Sequence, residues 1–222
     1  MINRLHSWIH RPERGWDPVP SEHSKIYAAG EWSADTEQIV KGISHSIGGL
    51  EGKRVLDLGG GPGQFSVAFA RQGSNVVWHD ISRNYQNIAE HKAKEHDVNI
   101  EFSLGYLEDA KKFIDKPFDL VFSRICWCYC IDDFKFAKLV YDLVIPGGYA
   151  FIDTNNSTFK PARGFRRACS LINHYVGFKI GHPHPPRGRI AKLFQRYPIE
   201  MMLIDYSVST NDRILFRKAR DT

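Results

Sequence analysis

No stretch of this chain stays apolar for the ~18 residues that a membrane-crossing helix needs, because Gly, Asp, Arg or His interrupts every run. No apolar N-terminal segment reads as a signal peptide, so a protein without a membrane span is expected. Cysteine is scarce, with four in 222 residues, three of them crowded at Cys126, Cys128 and Cys130 and the fourth at Cys169. That pattern cannot make a disulfide framework, and a reducing cytoplasm is the expected compartment. Repeats and low-complexity tracts are missing, and 18 Gly with 11 Pro are near the average, which excludes collagen-like and wholly disordered chains. The length suits one α/β domain with an attachment rather than two large cores.

Charge is unevenly placed. The net +5 combines residues 156–222, with 13 Lys/Arg against 4 Asp/Glu, and an acidic remainder. A basic final third argues for an anionic partner, with solubility charge as the competing reading.

Residues 1–33, rich in Trp, His, Pro and Arg, read as an irregular arm with a short helix near Leu5–Ile9. Residues 35–48 read as a helix, with Ile39, Ile43 and Ile47 on one face and Gly48 and Gly49 as its stop. Strands are then predicted at Arg54–Leu58, Val76–Asp80, Ile100–Leu104, Phe118–Phe122 and Tyr149–Asp153, alternating with helices at Gln64–Gln72, Tyr85–Glu95 and Phe134–Leu143. Arg163–Tyr175 reads as a further helix, and the prolines of His182–Gly188 exclude one there. Glu200–Val208 and Arg213–Lys218 read as a closing hairpin. The expected fold is α/β: a Rossmann-like, seven-stranded, mostly parallel sheet with an antiparallel last strand and helices on both faces.

The most informative stretch is Val55–Phe69, VLDLGGGPGQFSVAF. A strand running into Gly59, Gly60, Gly61 and Gly63 and then into a helix lets backbone approach a nucleotide-like ligand. The dinucleotide spacing fails at Gln64, and the Walker lysine is absent. What remains is Asp57 two residues before the first glycine, and Asp80 at the end of the second strand. Here the chain resembles the class I S-adenosylmethionine (SAM)-dependent methyltransferases, and FDLVFS at Phe118–Ser123 and PGGY at Pro146–Tyr149 extend the resemblance over residues 50–155. The resemblance implies SAM as cofactor and S-adenosylhomocysteine as product, with Asp57 and the glycines at the methionine part and Asp80 on the ribose. It also implies Ile81, Leu107 and Ser123 as neighbours of the cofactor. Two positions depart from the family pattern: Gly105 is followed by Tyr106 rather than an acid, and Tyr129 stands where a His is frequent.

Tyr27 and Trp32 precede the first predicted long helix and suit a sulfonium cation. Arg124, Trp127, Tyr129 and Asn155 follow the fourth and fifth strands at the edge where such sheets bind ligands. Tyr129, His182 and His184 are the candidates for proton transfer. Arg163, Arg167, Arg187 and Arg189 are the candidates for an anionic substrate. A metal is not expected, since the outer thiols of Cys126–Cys130 lie about 13 Å apart in an extended chain, so they read as packing groups. Residues 1–49 are taken as an arm and helix covering the cofactor, and 50–222 as the methyltransferase domain, with 156–198 a basic substrate-binding insertion. The expected activity is methyl transfer to oxygen of a small anionic metabolite, with nucleic acid not expected as partner. An RNA or nucleotide methyltransferase and an inactive SAM-binding regulator are the alternatives, and the oligomeric state is left open.

Overall fold

β-rich runs broken by glycine turns and amphipathic segments fold here as one sheet with helices on its two faces. The computed structural model describes residues 8–159, 164–165, 168–169 and 182–220. Helices α1 (Ser21–Trp32) and α2 (Thr36–Ile47) lead into β1 (Arg54–Leu58), α3 (Gln64–Arg71), β2 (Asn75–Asp80), α4 (Arg83–Glu95) and β3 (Ile100–Leu104). A short α5 (Ala110–Phe113), β4 (Phe118–Arg124), α6 (Asp133–Leu143), β5 (Val144–Asn155), α7 (Arg189–Phe194), β6 (Ile199–Asp205) and β7 (Asn211–Lys218) follow.

The strand order is β3-β2-β1-β4-β5-β7-β6, with β7 antiparallel to both of its neighbours and the rest running one way. The chain builds β1 to β3 in one direction and then crosses back to β4. The crevice at the carboxyl ends of β1 and β4 is therefore the switch point at which open α/β sheets bind ligands.

Period-two alternation divides the core. Val55, Leu120, Phe122, Phe151 and Leu215 face Val40, Ile43, Ile47, Phe65 and Phe69 of α2 and α3. Leu56, Leu58, Val121, Ile152, Ile214 and Phe216 face Ile114, Phe136, Val140, Ile190 and Phe194 around α5, α6 and α7. Helix starts follow local chemistry: Asp35 accepts from Gln38 N, Ser82 from Tyr85 N, and Asp132 from Phe134 N and Lys135 N.

Three readings need correction. Residues 21–32 are not an irregular arm but helix α1, whose signal was absent because it buries only Ser24 and Ala28 and has no apolar stripe. Helix α7 was missed because it is a six-residue turn behind the Pro-rich segment, carrying Ile190, Leu193 and Phe194 into the core. Strand β5 begins at Val144 rather than Tyr149, and its pairing with β4 shifts register between Phe118 and Leu120. The predicted helices near Leu5–Ile9 and at Arg163–Tyr175 lie largely outside the described residues.

Phe122 lies 4.7 Å from Phe65, 5.1 Å from Phe69 and 5.4 Å from Phe151, ring centre to ring centre. Phe122→Ala is expected to cost about 3–5 kcal/mol of unfolding free energy in urea, and Phe122→Leu distinctly less. Equal effects would show that these rings do not form the joint between sheet and helices.

Candidate functional site

The turn after β1 is tied to β2 by backbone: the N–H groups of Gly59 and Gly60 both donate to His79 O. Gly61 N donates to Asp80 Oδ2 at 3.0 Å and Ser82 N to Asp80 Oδ1 at 2.9 Å. The glycines serve different ends. A Cβ on Gly59 would sit 2.7 Å from Cys126 Sγ, one on Gly60 would overlap the Trp78 ring, and one on Gly63 would come within 2.5 Å of Ala89 Cβ. Those three let α4, Trp78 and the end of β4 close on the loop. At Gly61 a Cβ would meet nothing within 4 Å, so the cradle is open there.

This donor set fits an adenosyl ligand. Asp80 accepts Gly61 N–H on Oδ2 and Ser82 N–H on Oδ1 and retains acceptor capacity, which suits two vicinal hydroxyls. Burial raises the Asp80 carboxyl, while the backbone N–H groups of Ser82, Gly61 and Ile81 oppose that rise. Asp57, 2% exposed, accepts from Ser66 Oγ at 2.7 Å. Burial pushes it up to about 7 against that hydrogen bond, and the neighbouring Asp80 adds to the rise. Two adjacent buried carboxyls raised in this way welcome a cation, and the amino-acid end of SAM carries one.

The segment from Asp17 to Trp32 roofs this crevice. Asp17 Oδ2 accepts from Asn84 N and Ser82 Oγ at the start of α4, and Asn84 Nδ2 donates to Val19 O. At the other end Trp32 Nε1 donates to Pro62 O, while Glu31 Oε2 accepts from Gln64 Nε2 and Arg124 Nη1, both at 2.9 Å. Between these ties the Tyr27 ring lies 5.7 Å from Tyr85. Burial raises both phenols, and Glu31 adds to each. Trp32 itself stacks on His96, 5.6 Å away. Asp17, Glu31 and Tyr85 carry no sequence signal because none belongs to a motif, and Gln64, which breaks the dinucleotide spacing, shows its role only once the docking of α1 brings Glu31 to it.

Leu107 begins a 3-10 turn and would lie 3.7 Å from a Cβ on Gly59, and Ile81 is half-buried directly after Asp80. Ser123 is buried with its hydroxyl 3.0 Å from Cys126 Sγ. Cys126 also donates to Leu58 O, and burial pushes its thiol up to about 12. Between them Ile125 holds φ 56, a left-handed conformation costly for a β-branched residue, with its N–H on Asp153 O.

The candidates for the acceptor side spread apart. Tyr129 is 59% exposed with its phenol raised by burial, and its ring lies 5.0 Å from His182. His184 packs edge-on to Phe159. Trp127 is buried and donates to Asp133 Oδ1, so its indole belongs to the core. Asn155 is half-buried at the end of β5. Arg187 donates to Tyr206 O, whereas Arg189 lies 3.7 Å from Asp133 and over Phe134, so the two arginines do not converge. Arg163 and Arg167 lie outside the described residues.

A family model described as a methyltransferase domain matches residues 56–152. The ubiquinone biosynthesis O-methyltransferase of Acinetobacter baylyi is 32% identical over 115 residues, covering 51% of this chain and 48% of that protein. Its namesake in Rhizobium etli is 34% identical over 113 residues, covering 51% and 45%. The chain thus spans about half the length of the curated relatives it matches. Among solved structures, an S-adenosylmethionine-dependent methyltransferase from Clostridium acetobutylicum superposes with a TM-score of 0.61 at 15% identity, covering 85% of this chain and 94% of that one. The [4+2]-cyclase SpnF superposes at 0.57 and 15% identity, covering 77% and 76%. These two likenesses concern the fold alone.

The Asp57 shift has a measurable sign. Its carboxyl ionises near 3.8 in an unfolded chain and near 7 in the fold, so its contribution to stability is complete below about 3.8 and lost as pH rises through 7. Between pH 5 and pH 8 the melting temperature of the ligand-free protein should therefore fall relative to that of Asp57→Asn. Parallel curves for the two proteins would contradict the buried, uncharged carboxyl.

Proposed function

We propose, starting from the class I SAM-dependent methyltransferase domain that residues 56–152 carry, that the protein transfers a methyl group to oxygen on a small anionic acceptor. Gly61 carries this reading. Its side opens into the crevice while its N–H holds the Asp80 carboxylate, which leaves both carboxylate oxygens with capacity for hydroxyl donors. When bound, SAM supplies a methyl group on a sulfonium, which an aligned nucleophile displaces in line. The residues of this chain have then to align an acceptor, exclude water and take a proton.

The cofactor-side residues in this proposal are Tyr27, Asp57, Gly59, Gly60, Gly61, Gly63, Asp80, Ile81, Leu107 and Ser123, with Trp32 bracing the loop through Pro62. A phenol is protonated at neutral pH, so Tyr129 donates a hydrogen bond to the acceptor and His182, whose ring lies beside it, takes the proton. His184, against Phe159, stands behind that pair. Oxygen as the methylated atom is supported by the printed names of the matched relatives. An anionic acceptor is supported by the basic final third, from which Arg187 is exposed beside Tyr206. Arg124 is committed to Glu31.

The test is transfer of labelled methyl from SAM to matched hydroxylated acceptors that carry a carboxylate, a phosphate or no charge, with total RNA as a parallel acceptor. The expected result is alkali-stable label, as a methyl ether, in the anionic small molecules, and at least a ~10-fold poorer kcat/KM in Arg187→Ala, about 1.4 kcal/mol. Label in RNA, alkali-labile label, or indifference to acceptor charge would overturn the proposal.

A further inference from the structure

Helix α1 buries few apolar residues, its ring contacts being Tyr27 with Tyr85 and Trp32 with His96. It buries Ser24 and Ala28, leaves Ile26 70% exposed, and carries Gly30 near its end. A helix docked in this way depends on polar ties at its termini, and such elements open readily. The first tie runs through Asp17 and Val19 to Asn84. The second gathers on Glu31, whose Oε2 takes Gln64 Nε2 and Arg124 Nη1.

Arg124 is placed for this contact by the sheet. It ends β4, follows Ser123 and precedes the left-handed Ile125, and its guanidinium lies 5.2 Å over the Phe65 ring. Its Nε sits 3.8 Å from Asp153 Oδ2, an oxygen that Arg213 also approaches at 3.3 Å, and Asn211 donates to the other oxygen of that carboxylate. The Arg124 and Glu31 side chains are 23% and 18% exposed, so the pair is neither fully screened nor fully desolvated. Gln64, which shares Glu31, opens α3 directly after Gly63, and the adjacent Trp32 holds Pro62 of the glycine turn. One carboxylate therefore joins the roof, the turn after β1 and the end of β4.

We propose that Arg124 is a positioning residue: by holding Glu31 it clamps α1 over the Gly61–Asp80 crevice and sets how long an S-adenosyl ligand stays there. The clamp rests on the reading of that crevice as the cofactor site. Arg124 acts through Glu31, whose charge attracts the guanidinium and whose position fixes the last turn of α1. Opening the crevice then requires the ion pair to part, so ligand release follows the strength of the pair.

The experiment uses S-adenosylhomocysteine with the whole protein, measuring dissociation rate by stopped flow and amide hydrogen exchange of residues 21–32. Arg124→Met keeps contact with Phe65 but removes the charge, and should speed dissociation about 10-fold and exchange in α1 by a similar factor, with sheet amides unchanged. Arg124→Lys should restore most of the residence time, and added salt should speed release from the wild type but not from Arg124→Met. Wild-type dissociation and exchange rates in Arg124→Met would overturn the clamp while leaving the cofactor reading intact. Equal losses in the Lys and Met variants with no salt dependence would assign the effect to packing and overturn it too. If the folded wild type binds no S-adenosylhomocysteine, the cofactor reading falls, and this proposal with it.

Discussion

A carboxylate taken almost wholly out of water has to be met by hydrogen-bond donors or lose its charge, and Asp80 is met by backbone. Gly61 gives one N–H and Ser82 the other, so the turn after β1 and the start of α4 converge on a single side chain at the end of β2. Much of the crevice depends on that convergence. It fixes where the glycine turn lies, which sets the closeness of Cys126, Trp78 and Ala89 to Gly59, Gly60 and Gly63. It also places Ser82 and Asn84 where Asp17 can accept from them and bring the N-terminal segment over the site.

Packing under this convergence is dense, while the helix above it is held mainly at its two ends. Below the turn, Phe65, Phe69 and Phe122 pack sheet against helix, and His79, buried and held between Ser103 Oγ and Tyr106 O, joins β2 to the segment after β3. Burial lowers the affinity of that imidazole for a proton, so it stays neutral and bridges two polar partners. Above the turn, α1 spans the crevice with small buried residues and polar ties at each end. A densely packed floor under a helix tied at its two ends is the arrangement on which the clamp proposed for Arg124 would act.

The strands and the glycine turn were legible in the sequence because they are local. Alternation over five or six residues and a run of glycines before a helix carry their own signals, while the roles of Asp57 and Asp80 were implied by the family resemblance. Helix α1 was not legible, since a docked helix with Ala28 and Ser24 as its buried face leaves no periodic trace. Glu31 and Tyr85 carry no signal for a related reason, and the tie of Gln64 to Glu31 is made by tertiary docking. The basic residues show the opposite error. Arg187 and Arg189 are two apart in sequence, yet Gly188 between them turns the chain with φ 75, sending one to Tyr206 and the other to Asp133. Proximity along the chain implied a joint role that the backbone does not permit.

The central claim is that Asp80 and the Gly61 turn hold the adenosyl group. Calorimetric titration of S-adenosylhomocysteine into the wild type and Asp80→Ala, with folding of both checked by circular dichroism, tests it most directly. Saturable one-to-one binding by the wild type is expected, weakened at least about tenfold in the variant, a loss of about 1.4 kcal/mol or more. A folded wild type that does not bind, or a variant that binds as well as the wild type, would contradict it.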